Sequence, residues 1–572
     1  MENIQRRVER IKAALGKKKA SLVLKQATYL SVFTNEWLIG DIAISEGYFV
    51  GIGSYEGEQE IDARDLTIVP GFIDGHLHLE SAIVTPDQYA KAVIPHGTTA
   101  IVADPHEIAN VLGEKGIDYI LEATKELPID VYLMMPSCVP ATLFDEAGAT
   151  IDHKMIDRYL NEERILGLAE MMNYPGILAG DKEVLQKILV TTKKNKLVDG
   201  HGPGLTGKEL AAYCTAGVAS DHECTEASEA IEKIHNGQWI MIREGTAGKN
   251  LEKLVDLLDD RYYERCLLVT DDKHPGELKK EGHIDHIIRK AIRLGAKPIN
   301  VYKAASINAA NYFRLPYRGA IAPGYQADFV VLEDVETVKI HSVYKRGEKL
   351  SDHEQLLEAV SSRLSRKEAQ EAINLKEVTH SVHIKPLTQA DIQTKKPAEK
   401  VIGLIKGELL TSDEKEAAGI DIDKDILKLC VVERHHETGH VGVCYVKGYQ
   451  LKTGAVATSV AHDAHNIIVV GTNDEDILFA INRIATLQGG MVVVKDGEVV
   501  EELALPIAGL MCELEVEEAE ERLEAVKKAA YALGASRDID PFMTLSFASL
   551  PVIPSLRLTS KGVVDVLQFS LI

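Results

Sequence analysis

The chain has 572 residues, too many for one ordinary hydrophobic core, so two or three domains are expected, each able to fold without covalent or metal staples. Its 64 basic and 87 acidic residues leave a net charge of −23, which argues against a broad nucleic-acid or anionic-lipid footprint and for a small-molecule partner. Hydrophobic residues make up 45% and charged residues 26%, a soluble globular profile, and no apolar run approaches the roughly 20 residues that span a bilayer.

Residues 1–19 are basic and lack the apolar stretch of a secretory signal, so a cytoplasmic location is expected; the spacing of Val8, Ile11 and Leu15 fits a short amphipathic helix. Residues 20–67 alternate like β-strands, and so do residues 319–350, and the two stretches together fit one small β-sandwich. Between them, over residues 68–318, short apolar runs recur with helix-like segments between them. The runs read as strands are Ile68–His78, Thr99–Asp104, Val131–Pro136, Ile165–Glu170, Leu197–His201, Gly217–Asp221, Trp239–Arg243 and Leu267–Asp271. Eight such units predict a (β/α)8 barrel of the TIM type, in which side chains at the carboxyl ends of the strands share one mouth.

Residues 351–400 are charge-rich with helical spacing and read as a helical linker, and residues 401–572 mix strands and helices as a C-terminal α+β domain. The seven cysteines are scattered with no CxxC pair, so neither a disulfide framework nor a zinc ribbon is indicated.

The strongest local signal is His76-Leu77-His78, whose two imidazoles project to the same side of an extended strand and can reach one ion. Later strand ends add Glu170, His201, His222 and Asp271, completing an imidazole and carboxylate set suited to Zn, Mn or Fe. Two ions need a bridge. Glu170 is the candidate, leaving His76, His78 and Asp271 for one ion and His201 and His222 for the other. Such a pair holds and activates a water as hydroxide, and Asp271 can carry its proton to a leaving amine, so Asp271 and Glu170 are the catalytic candidates.

His106, Glu107, Glu223, Arg243 and Glu244 follow barrel strands and are candidates for substrate contact. Glu80 and Asp104 are placed to support the ligand histidines. In the last domain His462 and His465 belong to a polar cluster that either folds over the barrel mouth or forms an interdomain network. GxGxxG and P-loop patterns are absent, so no nucleotide cofactor is expected.

PGFIDGHLHLE, with the later HGPG, SDHEC and VTDD, resembles the amidohydrolase superfamily. Within it, GTTAIVADPHEIANVLG, LGLAEMMNYPG, SDHECTEASEA, REGTAGKNL and the C-terminal VAHDAHNIIVVGTNDEDILFAIN and PFMTLSFASLPVIPSLRLT resemble the adenine deaminase family, over essentially the whole chain from about residue 20. The resemblance implies hydrolysis of adenine to hypoxanthine and ammonia in purine salvage, two divalent ions per chain with Mn2+ foremost and Fe2+ or Zn2+ as alternatives, and a homo-oligomer. It also fits a bridge made by Glu170, because ILGLAEMMNYP carries no lysine where related cyclic-amide hydrolases use a carboxylated one. Ala82 and the KAASINAA stretch depart from the family pattern outside the ligand set. The alternatives are a binuclear amidohydrolase for another purine, a pterin or a cyclic amide, and an inactive scaffold on the same fold.

Overall fold

The computed structural model describes residues 4–246, 248–350, 375–394 and 396–572. In chain order the strands are β1 (Ala20–Ser31), β2 (Glu36–Ser45), β3 (Tyr48–Gly53), β4 (Gly57–Asp62) and β5 (Thr67–Pro70), followed by the barrel strands. These are β6 (Phe72–Leu77), β7 (Thr98–Ala103), β8 (Asp130–Met135), β9 (Ile165–Met171), β10 (Leu197–Gly200), β11 (Ser220–Asp221), β12 (Trp239–Arg243) and β13 (Cys266–Val269). The chain then returns to the first sheet as β14 (Phe329–Asp334), β15 (Lys339–Lys345) and β16 (Glu348–Lys349).

All eight expected barrel strands are present, and neighbours along the ring are parallel. The ring closes at two seams. At one, Asp271 N–H donates to His76 O at 3.0 Å, and the fully buried Asp74 accepts from Thr270 Oγ at 2.6 Å. At the other, Ala219 N–H donates to Val198 O at 2.9 Å. The barrel interior is filled by Ile73, Val102, Met134, Ala169, Met241 and Leu267, so the barrel is a packed core with its site at one end.

Three sequence expectations are corrected here. The run Ile68–His78 is two strands, not one: β5 belongs to the small sheet and β6 to the barrel, with Gly71 between them. A Cβ at Gly71 would lie 2.4 Å from Thr99 Oγ, so only glycine lets the chain pass from one sheet to the other there. The sixth strand is shorter than expected, because Gly217 ends the preceding helix in the left-handed region. The N-terminal helix exists over Ile4–Ala14, but Val8, Ile11 and Leu15 stay largely exposed and the helix docks instead through Ala13.

The small sheet runs β16-β15-β14-β5-β1-β2-β3, with β4 beside β1, and thus joins the segments before and after the barrel. Its core includes Phe49, Phe329 and Tyr344, the last two stacked at 4.5 Å. Lys345 fastens this sheet to the barrel: its Nζ reaches Thr99 O at 2.9 Å, Asp328 Oδ2 at 2.8 Å and Asp130 Oδ2. Lys345→Met is expected to destabilise the protein by about 3 kcal/mol, at the low end for a broken buried pair because Arg318 still faces both carboxylates. A denaturant midpoint equal to wild type would show that the pair contributes nothing.

The expected linker over residues 351–400 lies in large part outside the described residues. The last part of the chain carries an eight-stranded mixed sheet. Its strands are β17 (Glu399–Leu404), β18 (Thr411–Ala417), β19 (Leu427–Val432), β20 (Val441–Lys447), β21 (Ala455–Thr458), β22 (Ile467–Gly471), β23 (Gly490–Lys495) and β24 (Glu498–Ala504). Helices Asp474–Leu487 and Val516–Ala532 accompany the sheet, and a three-stranded meander, β25 (Leu556–Thr559), β26 (Gly562–Asp565) and β27 (Ser570–Leu571), ends the chain. All seven cysteines are free thiols. No helix among the described residues is long and apolar enough to cross a membrane.

Candidate metal centre

Strand alternation explains how the site is assembled. His76 and His78, two residues apart at the end of β6, point into the mouth, where Glu170 from β9, His201 after β10, His222 after β11 and Asp271 after β13 meet them. Asp271 takes a left-handed φ of 60°, a conformation Asp tolerates better than most residues, and this turn follows directly on the bond that closes the barrel.

Glu170 divides the cluster. Its Oε2 lies 2.7 Å from His201 Nδ1 and 3.2 Å from His222 Nε2, while Oε1 lies 3.4 Å from His78 Nε2 and 3.8 Å from His76 Nε2. Asp271 Oδ1 is 3.2 Å from His78 Nε2 and 3.8 Å from His76 Nε2. All of these side chains are buried except the partly exposed His201.

The donor set fits divalent cations. His76 Nε2 is buried without a hydrogen-bond partner, yet it faces two carboxylate oxygens, as a ligand atom should. His78 presents Nε2 to the cluster because its Nδ1 is tied to Asp104 O at 3.0 Å. Burial opposes protonation of both rings. It wins at His76, whose pKa falls well below the usual range with His222 adding to the effect, whereas Asp271 and Glu170 hold His78 well above it.

The remaining expected residues are placed as follows. Asp104 contacts two histidines of the mouth, its carbonyl oxygen 3.0 Å from His78 Nδ1 and its carboxylate 2.9 Å from His106 Nδ1. His106, expected at the substrate, lines the cavity and also lies 3.8 Å from Glu170 Oε1 and edge-on to His78 at 4.6 Å, with its Nδ1 fixed by Asp104. Glu80 does not support a histidine: its Oε1 accepts from Ile108 N–H at 3.0 Å, at the helix that follows β7. Burial raises its pKa to about 7, with the nearby Glu107 adding to the effect.

Glu223 and Arg243 line the cavity as a pair, with Arg243 Nη1 2.6 Å from Glu223 Oε1 and also on Asp271 Oδ2. Glu244 is turned away from the mouth and held by Lys290 at 2.8 Å, a correction that follows from its alternation with Arg243 along β12. The His462 segment does fold over the barrel mouth. His462 Nδ1 meets Glu107 Oε1 at 2.8 Å and His465 Nε2 lies 3.2 Å from Glu107 Oε2. Burial opposes charge on His462, but Glu107 outweighs it and raises the pKa to about 9, while burial lowers that of His465 to about 4.

The cavity at this mouth has a volume of about 390 Å3, within the roughly 300–1,000 Å3 of small-molecule sites. Its lower wall is the polar cluster; its upper wall is apolar and comes from the last domain. The lining also includes Met172 and Pro203, which follow β9 and β10. Asp272, also in the lining, was visible only as the second acid of VTDD.

A profile of the amidohydrolase family matches residues 67–350, and the adenine deaminase C-terminal domain matches residues 406–570. Adenine deaminase 2 of Carboxydothermus hydrogenoformans is 45% identical, covering 98% of each chain. Adenine deaminase of Clostridium acetobutylicum is 42% identical over 98% of this chain and 99% of its own, and that of Halalkalibacterium halodurans 43% over 99% and 98%. Use of divalent metal follows from the amidohydrolase match and the buried histidine and carboxylate cluster together. With a barrel that gathers this ligand set and full-length similarity extending through the C-terminal domain, the chain belongs to the adenine deaminase family.

Proposed function

We propose that this protein hydrolyses adenine to hypoxanthine and ammonia, and that its site works with two divalent ions, Mn2+ foremost. The observation that carries the reading is the division of Glu170, one oxygen toward His76 and His78 and the other toward His201 and His222, at the floor of a small-molecule cavity. His76, His78 and Asp271 would hold one ion, His201 and His222 the other, and Glu170 both. Bound divalent ions supply a water that is nucleophilic at neutral pH.

The chain's own groups do the rest. Asp271 has one oxygen toward the ligand cluster and the other fixed by Arg243, so its carboxylate is aimed and cannot swing away; it is the group that takes a proton from water and returns it to the departing amine. Glu223, kept ionised by Arg243 and the neighbouring histidines despite burial, offers a fixed acceptor to an N–H of the base. His462, kept cationic by Glu107, is the proton donor facing the cavity from above and suits the ring nitrogen that must gain a proton.

The test is to strip the purified protein, reload it with Mn2+ and follow adenine absorbance together with ammonia release. Conversion that rises to a plateau at about two equivalents of metal supports the reading. A metal-loaded protein inert on adenine would defeat it and turn attention to other purines, pterins and cyclic amides.

A further inference from the structure

The upper wall of the cavity comes from two segments of the last domain that are distant in sequence. Leu409 and Leu410 lie in the turn between β17 and β18; Phe547, Leu550, Val552 and Ile553 lie at the end of helix Pro541–Ala548 and in the loop after it. Facing a polar floor, such a wall offers an apolar surface to one face of a flat ring while the floor meets its polar edge. Apart from Phe547 at the end of its helix, these residues lie in a turn and a loop, whose shape depends on further contacts.

Arg557 does so. It is 1% exposed, and its guanidinium donates to Ile553 O at 2.7 Å, Phe547 O at 2.9 Å, Leu409 O at 2.5 Å and Pro554 O at 3.0 Å. Every acceptor is a backbone carbonyl of the segments that form the wall. Among the described residues no acid pairs with it, and its burial pulls its pKa down to about 9. A buried cation without a carboxylate is costly, and what it secures is the geometry of those carbonyls. One of them, Phe547 O, belongs to the last turn of its helix, where positive charge is favoured. Thr411 completes the stitching: its N–H donates to Pro554 O at 3.1 Å and its hydroxyl to Leu556 O at 2.9 Å.

We propose that these six apolar residues form a roof on which the base stacks, and that Arg557 is the positioning residue that sets the height of that roof above the ligand cluster. The inference rests on the adenine reading and adds to it where the ring is held. Because the roof touches the ring and not the reacting atoms, it contributes binding that is equal in ground and transition states, and its loss should appear in KM.

Arg557→Met, which keeps the length and removes the donors, should raise KM for adenine about tenfold or more while kcat stays within about threefold and metal content stays at the wild-type value. Arg557→Lys should recover part of the loss. Leu410→Ala, at a side chain already 45% exposed and so cheap for folding, should raise KM about threefold. A folded, metal-loaded Arg557→Met with wild-type KM, or one whose kcat falls while KM holds, overturns the proposal. Should Arg557→Met fail to fold, an unchanged KM in Leu410→Ala overturns it and a raised KM supports it. Wild-type protein inert on adenine would overturn the adenine reading itself, and with it the roof as a surface for this base.

Discussion

Glu170→Gln is expected to lose bound metal and activity together. The glutamate is buried, and each of its oxygens is within 3.4 Å of at least one imidazole nitrogen of a different group. Replacing one oxygen with an amide NH2 puts a donor where a lone pair is needed and removes the charge that both halves of the cluster share. Losing a partner behind a metal ligand costs about 10–100-fold in affinity, and losing a carboxylate that serves two ions should cost at least about 100-fold. Metal analysis after gel filtration would read well below the wild-type content, with circular dichroism showing the fold intact. Wild-type metal content in this variant would remove Glu170 from the bridge.

Asp271→Asn is expected to act differently. Asparagine keeps the shape and one acceptor oxygen, but it cannot take up and release a proton. With metal content measured in the same sample, kcat should fall about 10^2- to 10^4-fold, the range for loss of a positioned acid or base, while KM for adenine changes little. An unchanged kcat would exclude Asp271 from proton transfer, and a loss of metal equal to that of Glu170→Gln would make it a ligand only.

The contrast between these carboxylates and the roof marks what the sequence could and could not disclose. Strand ends are local: His76 and His78 follow an apolar run, Glu170 ends another, and a barrel carries each such end to one mouth. Eight runs therefore suffice to bring His76, His78, Glu170, His201, His222 and Asp271 to one mouth. Where local pattern failed, a second constraint was at work. Ile68–His78 reads as one strand because both halves are apolar and buried, and hydropathy does not record that the chain changes sheets at Gly71. His106 lines the cavity, but its closeness to the histidine and carboxylate cluster is set by Asp104, two residues away, and not by the strand it follows. Glu244 was a misreading that alternation along β12 would have prevented, since its neighbour Arg243 faces the cavity. The roof has no local signal: Leu409 and Ile553 are distant in sequence and are brought together by Arg557 and Thr411.

The passage between sheets at Gly71 has a bearing on how the molecule comes into being. Because Phe329 pairs opposite Pro70, the central strand pair of the small sheet cannot form until the entire barrel has left the ribosome. Until then β5 offers an unpaired edge, the kind of surface that invites association with other chains. Closure of so long a loop costs only logarithmically more than closure of a short one, and a folded barrel, which holds its two ends side by side, removes most of even that cost. The barrel is thus an insertion that completes its host. Ending the chain between residues 70 and 329 would leave not a smaller stable unit but an open sheet, with β5 lacking its partner β14.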